Sequence, residues 1–397
     1  MTKIIMKKKR VILVLFLLAL SGSTLIFSQQ SSGQLNAIQT VVPFLTIAPD
    51  SRAGAMGDAG VATSPDVYSM HWNPAKFAFI DGNAGLGISY SPWLRNLVPD
   101  INIAYLAGYK RIDTKQVFAA SLLYSSLGDV PFTDEFGNLQ RTFNPNEFAF
   151  DACYSRLFTE HLSGGIAFRF IYSNLTGGTY SGGVATKPGI SFAADISGYY
   201  QKKITVLNKD GQLGFGLNFS NIGTKMSYSS SQSTDFIPMN MRLGTSATIN
   251  LDNYNKITAS LDLNKLLVPT PPIYSSTKPD SIIKGKDPNV SVPVAIFQSF
   301  FDAPGGFKEE FHEITYSVGV EYWYNNQFAI RGGYFYEDPT KGNRKYFTAG
   351  AGFRLKAFTL DFSYLMPVAQ NNPLAHTLRF SIAFDFNALR NASRSKG

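Results

Sequence analysis

Few residues in this chain combine the types and spacing that chemistry requires. The four histidines, His71, His161, His312 and His376, are scattered, and no HExxH or other paired-ligand spacing joins them, so the sequence lends no support to a metal centre. Cys153 is the only cysteine, which excludes an internal disulfide framework and any multi-cysteine metal site; it reads as a small residue on a strand. The run "KEEFHE" gathers Glu309, Glu310, His312 and Glu313 and reads as a solvated loop-to-strand junction. "GAG" at Gly350 to Gly352 lacks a GxGxxG or Walker framework, and inside a strand pattern it means close packing or a bulge. No Ser/His/Asp arrangement follows from spacing. The expectation is no catalytic residue, no cofactor and no metal.

What the chain does concentrate is turn-forming and packing residues near its N-terminus. "DSRAGAMGDAG" runs from Asp50 to Gly60 and "MHWNPAKFAF" from Met70 to Phe79. Gly54, Gly57 and Gly60 permit tight turns, Asn73-Pro74 favours turn initiation, and Trp72, Phe77 and Phe79 supply bulk. Such a segment has to be held by the elements that follow it.

Ahead of it, Lys7, Lys8, Lys9 and Arg10 precede an apolar run from Val11 to Leu20, small residues follow at Ser21 to Ser23, and a cleavage site fits after Ser28. Residues 1–28 therefore read as a secretory signal peptide. A single spanning anchor is the rival reading, because apolar character revives at Leu25 to Phe27; the short core and the Gly/Ser break favour cleavage. The leader carries five basic residues and no acid, so its removal takes the formal charge from +8 to +3, and the basic balance gives no ground for a nucleic-acid partner. Past the leader no run approaches the ~18 apolar residues of a spanning helix. If the mature chain enters a membrane, it enters as a closed β-barrel, the other structure that satisfies its backbone internally.

From Gly85 onward the apolar pattern has a period of two. Val318, Val320 and Tyr322 alternate with Ser317, Gly319 and Glu321, and Phe380, Ile382 and Phe384 alternate with Arg379, Ser381, Ala383 and Asp385. About fourteen such runs lie near 85–92, 100–110, 115–126, 146–158, 162–174, 189–202, 211–222, 239–249, 255–264, 313–325, 327–337, 344–354, 357–366 and 376–387. Most suit tilted strands that cross a bilayer. With the first strand running outward, short inner turns fall at Arg111 to Thr114, Thr159 to His161, Lys203 to Asp210, Asp252 to Tyr254, Asn325 to Asn326 and Leu355 to Lys356. The outer connections are mostly longer, and Lys265 to His312 is the longest.

Alternation alone does not say which face is inside, and a soluble sandwich would share the period. Export, strand length and loop asymmetry together favour a barrel with its greasy side chains outward. Arg169, Arg242, Asp262, Glu321, Arg331, Asp361, Arg379 and Asp385 then point into the lumen, where mixed signs suggest hydrogen-bonded filling. A lumen of this many strands is too wide for wall side chains to fill, so residues 29–83 are expected to plug it as a hatch. The expected fold is all-β: an antiparallel transmembrane barrel over 84–387, an N-terminal hatch, and a short basic tail at 388–397.

"RAGAMGDAGVA" followed by "HWNPA", ahead of these strands, resembles the FadL-like outer-membrane barrels and, within them, the PorV family of type IX secretion in Bacteroidetes. Arg52, Gly54, Met56, Gly57, Asp58, Gly60, Asn73, Pro74 and Ala75 are the matching positions, with Trp72 beside them. The resemblance implies an outer-membrane, non-enzymatic role surrounded by lipid and lipopolysaccharide. It implies that C-terminal signal domains of secreted cargo are received from a translocon barrel and delivered to the sortase of a surface attachment complex. A FadL-type carrier of long-chain fatty acids or other hydrophobic compounds is the alternative; a lipid-modifying enzyme and a barrel that tethers the sortase stay open. In the longest outer loop, "VAIFQSFFDAPGGF" clusters Ile296, Phe297, Phe300, Phe301 and Phe307 as a candidate partner surface, which equally well folds back over its own barrel mouth.

Overall fold

The computed structural model describes residues 35–387, except 96, 97, 99, 135, 179, 182, 183, 207, 230–233, 279 and 371. The expected signal peptide, the first residues of the hatch and the basic tail lie outside the described residues.

Fourteen antiparallel strands close into one barrel. They are Ala84–Pro92, Ile101–Arg111, Gln116–Leu127, Asn146–Leu157, Leu162–Asn174, Gly189–Val206, Lys209–Gly223, Asn240–Asn250, Asn255–Leu266, Thr315–Tyr324, Phe328–Tyr336, Lys345–Leu355, Phe358–Pro367 and Leu378–Asp385. Closure comes from the first and last strands, where Gly85 lies opposite Asp385 and Tyr90 opposite Phe380. Each neighbour satisfies the ladder of the next, so no edge is left unpaired.

The two faces sort as the period of two requires. On Thr315–Tyr324, Ser317, Gly319 and Glu321 are buried inward while Val318 and Val320 are 45% and 43% exposed outward. Phe380, Phe362, Ile166 and Ile330 are exposed on the same outer wall, where Phe362 meets Phe380 at 5.4 Å and Phe148 stacks on Tyr172 at 5.2 Å across strands. Inside, Arg169, Arg242, Asp262, Glu321, Arg331, Asp361 and Arg379 are buried, and Asp385 is half-buried at the inner rim. A water-soluble barrel would carry the reverse arrangement.

The inner turn expected over Lys203 to Asp210 is instead mostly strand. Thr205 pairs with Asp210 and Val206 with Lys209, and Asn208 in the shortened connection sits at φ 59° in a left-handed conformation that Asn tolerates. The outer connections carry structure of their own: hairpins Val130–Thr133 with Leu139–Phe143 and Ile273–Tyr274 with Ile282–Lys284, and short helices Val292–Gln298 and Phe307–His312. The "KEEFHE" run is not a solvated junction. Glu310 and Glu313 are buried, because Lys265 reaches them at 3.0 and 2.6 Å and Lys341 reaches Glu313 at 2.9 Å.

Residues 35–83 run through the lumen. Asn36 and Val41 donate backbone hydrogen bonds to Thr340 and Phe236 in the outer connections, and the Asn83 carbonyl accepts from Arg111 at the inner end. If Val320 faces hydrocarbon, Val320→Arg should destabilise the reconstituted barrel by about 2–4 kcal/mol, read from urea unfolding in lipid vesicles.

Candidate functional site

The hatch is built from single helical turns braced against one another. Asp50 caps the turn Ser51–Gly54 by accepting from the Ala53 N–H at 2.9 Å, and its other oxygen accepts from Trp72 Nε1 at 2.6 Å. One carboxylate thus joins the glycine-rich stretch to the turn Ser69–Trp72. Burial, with the Asp66 carboxylate nearby, pushes Asp50 up to about 6 from its ordinary 3.8. Lys76 is also buried; its ammonium donates to the Gly60 carbonyl at 2.8 Å and to Thr63 Oγ1 at 3.1 Å, and burial brings it down to about 8.

Asn73 is the hub of the Asn-Pro-Ala motif. Its side-chain amide donates to the carbonyls of Val61 within the hatch and Gly198 on the wall, at 3.1 and 3.0 Å, while its Oδ1 accepts from the Ala75 N–H. Pro74 starts the 3-10 turn Pro74–Phe79, where its missing N–H is not needed. Ala75 is gripped by three strands: its N–H donates to Ser197 Oγ, and its carbonyl accepts from Ser155 and Ser163 at 3.2 and 2.6 Å. Trp72 has Arg242 over its ring at 5.0 Å, and its carbonyl accepts from Asn218.

The glycine-rich stretch is fixed in the same manner on the opposite wall. Gly60 and Val61 donate their N–H groups to Asp262 Oδ2 at 2.7 and 2.8 Å. Gly57 donates to Thr348 Oγ1 and sits at φ +67°, where a Cβ would fall 2.6 Å from the Tyr334 backbone, so only glycine fits there. Met56 is fully buried, and Asp58 accepts from the Tyr346 hydroxyl at 2.5 Å. Gly54 lies against Arg379, whose guanidinium is 3.8 Å from Asp58. Arg52 is the strongest link: it pairs with Glu321 at 2.9 Å and Asp66 at 2.8 Å, and Glu321 continues through Arg331 to Asp361 at 2.7 Å each.

All ten hatch residues singled out in the sequence therefore lie in one lumenal assembly. Sequence reasoning did not reach Asp50, Asp66 or Lys76, nor the receiving wall groups Ser155, Ser163, Ser197, Asn218, Tyr346 and Thr348. Asp50 had a signal, an Asp directly before a helical turn; the wall residues look like any other inward polar position. Below the hatch, toward the inner turns, a cavity of about 550 Å³ is lined by polar groups including Ser64, Lys203, Asp210, Gln212, Lys256 and Glu321.

The loop aromatics separate from this assembly and from one another. Ile296 turns inward against the buried core, whereas Phe297, Phe301 and Phe307 are 71%, 61% and 76% exposed. Phe300 is less exposed and lies 5.9 Å from the Lys265 ammonium. The loop beneath them is tied down: Asn36 donates to Glu309 and to the Pro271 carbonyl, and Thr270 donates to Glu313.

Compared with protein-family models, residues 29–273 match the family described as Type IX secretion system protein PorV. The chain belongs to the PorV family. The protein, a closed barrel of fourteen strands, resides in the outer membrane. Among solved structures, it is similar to the Pseudomonas putida toluene transporter TodX, with 14% identity, 88% of this chain and 98% of that chain covered, and a TM-score of 0.46. A Pseudomonas aeruginosa FadL homologue covers 89% of this chain and 100% of its own at 11% identity and a TM-score of 0.44. LpxR from Salmonella typhimurium covers 76% and 100% at 8% identity and a TM-score of 0.34. No curated protein matches.

Two tests bear on the hatch. Arg52→Ala leaves Asp66 without its cation and Glu321 with one partner fewer; breaking so buried a pair should cost about 3 kcal/mol or more. Hydrogen exchange should accelerate across residues 50–66. Asp50 supplies a pH dependence: the folded hatch holds a proton there that the unfolded chain releases at 3.8, so its contribution to stability falls as pH rises from about 4 to about 6. Exchange at Ala53 should be slower at pH 5 than at pH 7.5 after correction for intrinsic rates, and Asp50→Asn should abolish that difference.

Proposed function

We propose that the protein is a cargo-handling barrel of type IX secretion, which binds the C-terminal signal domain of secreted proteins and passes them from the translocon to the sortase complex at the cell surface. Membership of the PorV family is the observation that carries this reading. Two features support it. A lumen crossed by a hatch with partners on wall strands around the barrel is suited to holding a seal, not to serving as a conduit. An outer loop whose frame is pinned by Lys265, Lys341 and Asn36 while Phe297, Phe301 and Phe307 stand clear is suited to gripping a folded domain, since preorganised aromatic anchors lose little entropy on binding.

A carrier of hydrophobic compounds needs an apolar pocket beside the hatch. The cavity that Ser64 adjoins is instead lined by Lys203, Asp210, Gln212, Lys256 and Glu321. The apolar depression of about 780 Å³, among Ile88, Phe328, Ala351, Leu360 and Phe380, opens on the lipid-facing wall. In this reading the protein carries out no bond chemistry.

The experiment is a deletion strain complemented with wild type or with Phe297→Ser/Phe301→Ser/Phe307→Ser. Cargo bearing the C-terminal signal should remain unattached in the deletion strain, and the variant should restore attachment poorly while reaching the membrane at the wild-type level. Normal attachment in the deletion strain would overturn the cargo reading. Full rescue by the variant would remove the loop from it. Slower uptake of long-chain fatty acids with intact secretion would point to the carrier.

A further inference from the structure

We propose that one half of the inner rim is a binding surface for the headgroups of anionic phospholipids in the inner leaflet. Lys110, Arg156, Lys202 and Lys209 stand at the inner ends of four strands and share the outward face with the lipid-facing side chains Leu106, Tyr154, Tyr200 and Phe215. A belt of rings lies one same-face step outward of Arg156 and Lys202 and level with Lys110, while Lys209 stands further inward, opposite Val206 at the tip of its hairpin. Phe118, the cross-strand neighbour of Lys110, meets Tyr154 at 5.2 Å; Tyr200 meets His161 at 6.0 Å and Phe215 at 6.3 Å.

Depth follows from the strand repeat. Arg156 lies two residues beyond Tyr154 and Lys202 two beyond Tyr200, which places each cation roughly 7 Å further along the strand than a ring on the same face. Aromatic rings settle at the boundary between hydrocarbon and headgroup, so a cation one step beyond them, on a stem long enough to snorkel, lies at the level of the phosphates. Attraction to an anionic leaflet is strongest at that range.

The charges are available for it. Among the described residues no carboxylate forms an ion pair with any of the four. Asp113, the acid near Arg156, accepts from the Lys115 and Gln116 amides, and Asp210 faces the lumenal cavity. Glu160, in the turn after Phe158, and Asp252, in the turn after Asn250 and within electrostatic range of Lys209, are the further acids near this arc. The other half of the rim differs: its strand ends present Ile249, Tyr324, Phe328 and Leu355 outward, its cations Lys256 and Arg354 lie over Trp323 on the lumenal side, and Lys356 lies in a turn. A cationic arc on one flank, above which rings touch and below which water begins, complements a row of lipid phosphates better than it does bulk solvent.

The test uses the full mature protein, released from micelles holding equal amounts of phosphatidylglycerol and phosphatidylcholine, with retained lipid counted by native mass spectrometry. Wild type should keep phosphatidylglycerol in several-fold preference. Lys110→Gln/Arg156→Gln/Lys202→Gln/Lys209→Gln should bring that preference near parity, and Lys356→Gln should leave it in place. A heat-modifiability gel checks that each variant is folded; should the fourfold variant fail, the pairs Lys110→Gln/Arg156→Gln and Lys202→Gln/Lys209→Gln each have to lower the preference. Equal retention of the two lipids by wild type, or an unchanged preference in the folded variants, overturns the proposal.

Discussion

Lipid offers a backbone no hydrogen bonds, and the rest of this architecture descends from that constraint. An exported chain whose strands alternate apolar and polar residues has to close on itself, because an open edge in hydrocarbon leaves a row of unpaired N–H and C=O groups. The pairing of Gly85–Tyr90 with Phe380–Asp385 provides the closure. Once fourteen strands are joined, the diameter is set, and it exceeds what wall side chains fill. A chain that solves the problem of its edges in this way inherits a hole, and residues 35–83 occupy it.

Filling a hole lined by strands imposes its own chemistry. The wall turns Ser155, Ser163, Ser197, Asn218, Asp262, Glu321 and Thr348 inward, and a purely apolar plug would offer none of them a hydrogen bond. The hatch answers with backbone: the N–H groups of Gly57, Gly60, Val61 and Ala75 and the carbonyls of Ala62, Trp72 and Ala75 bond to wall side chains. Irregular chain suits this task better than a helix would, because its peptide groups are not consumed by one another. Glycine lets them approach the wall, and the Asn-Pro turn aims them.

This explains what was legible in the sequence. Strand number, strand faces and the alternation of loop lengths depend on periodicity, which is local, and they can be read residue by residue. The hatch motif was visible because turn chemistry is local too. The partners were not. Arg52 and Glu321 are 269 residues apart, and Gly57 and Thr348 are 291 apart; nothing in either neighbourhood announces the other. "KEEFHE" was misread for the same reason, since Lys265 and Lys341 come to Glu313 from 48 and 28 residues away. The strand extension past Lys202 escaped because Lys203 and Lys209 look like loop residues although they continue a ladder; charged side chains are tolerated at strand ends once these emerge from the membrane.

How the hatch is held bears on what the barrel can do. A gate that opens for a solute needs few bonds, clustered where one ligand can compete for them. Here they are spread around the circumference, from Ser155, Ser163 and Ser197 on one side to Asp262 and Thr348 on the other, and one hatch group can serve both internal bracing and wall contact, as Asn73 does in bonding Val61 and Gly198 at once. Bonds distributed in this way give no single place at which one ligand could compete for them all. A lumen held in this way supports the proposed platform over the channel reading. Rigidity in the lumen holds the wall, the wall holds Lys265, and Lys265 holds the carboxylates under an outer loop whose aromatics remain uncovered. The work of the proposed function therefore falls on the outer surface, and the lumen contributes by not moving.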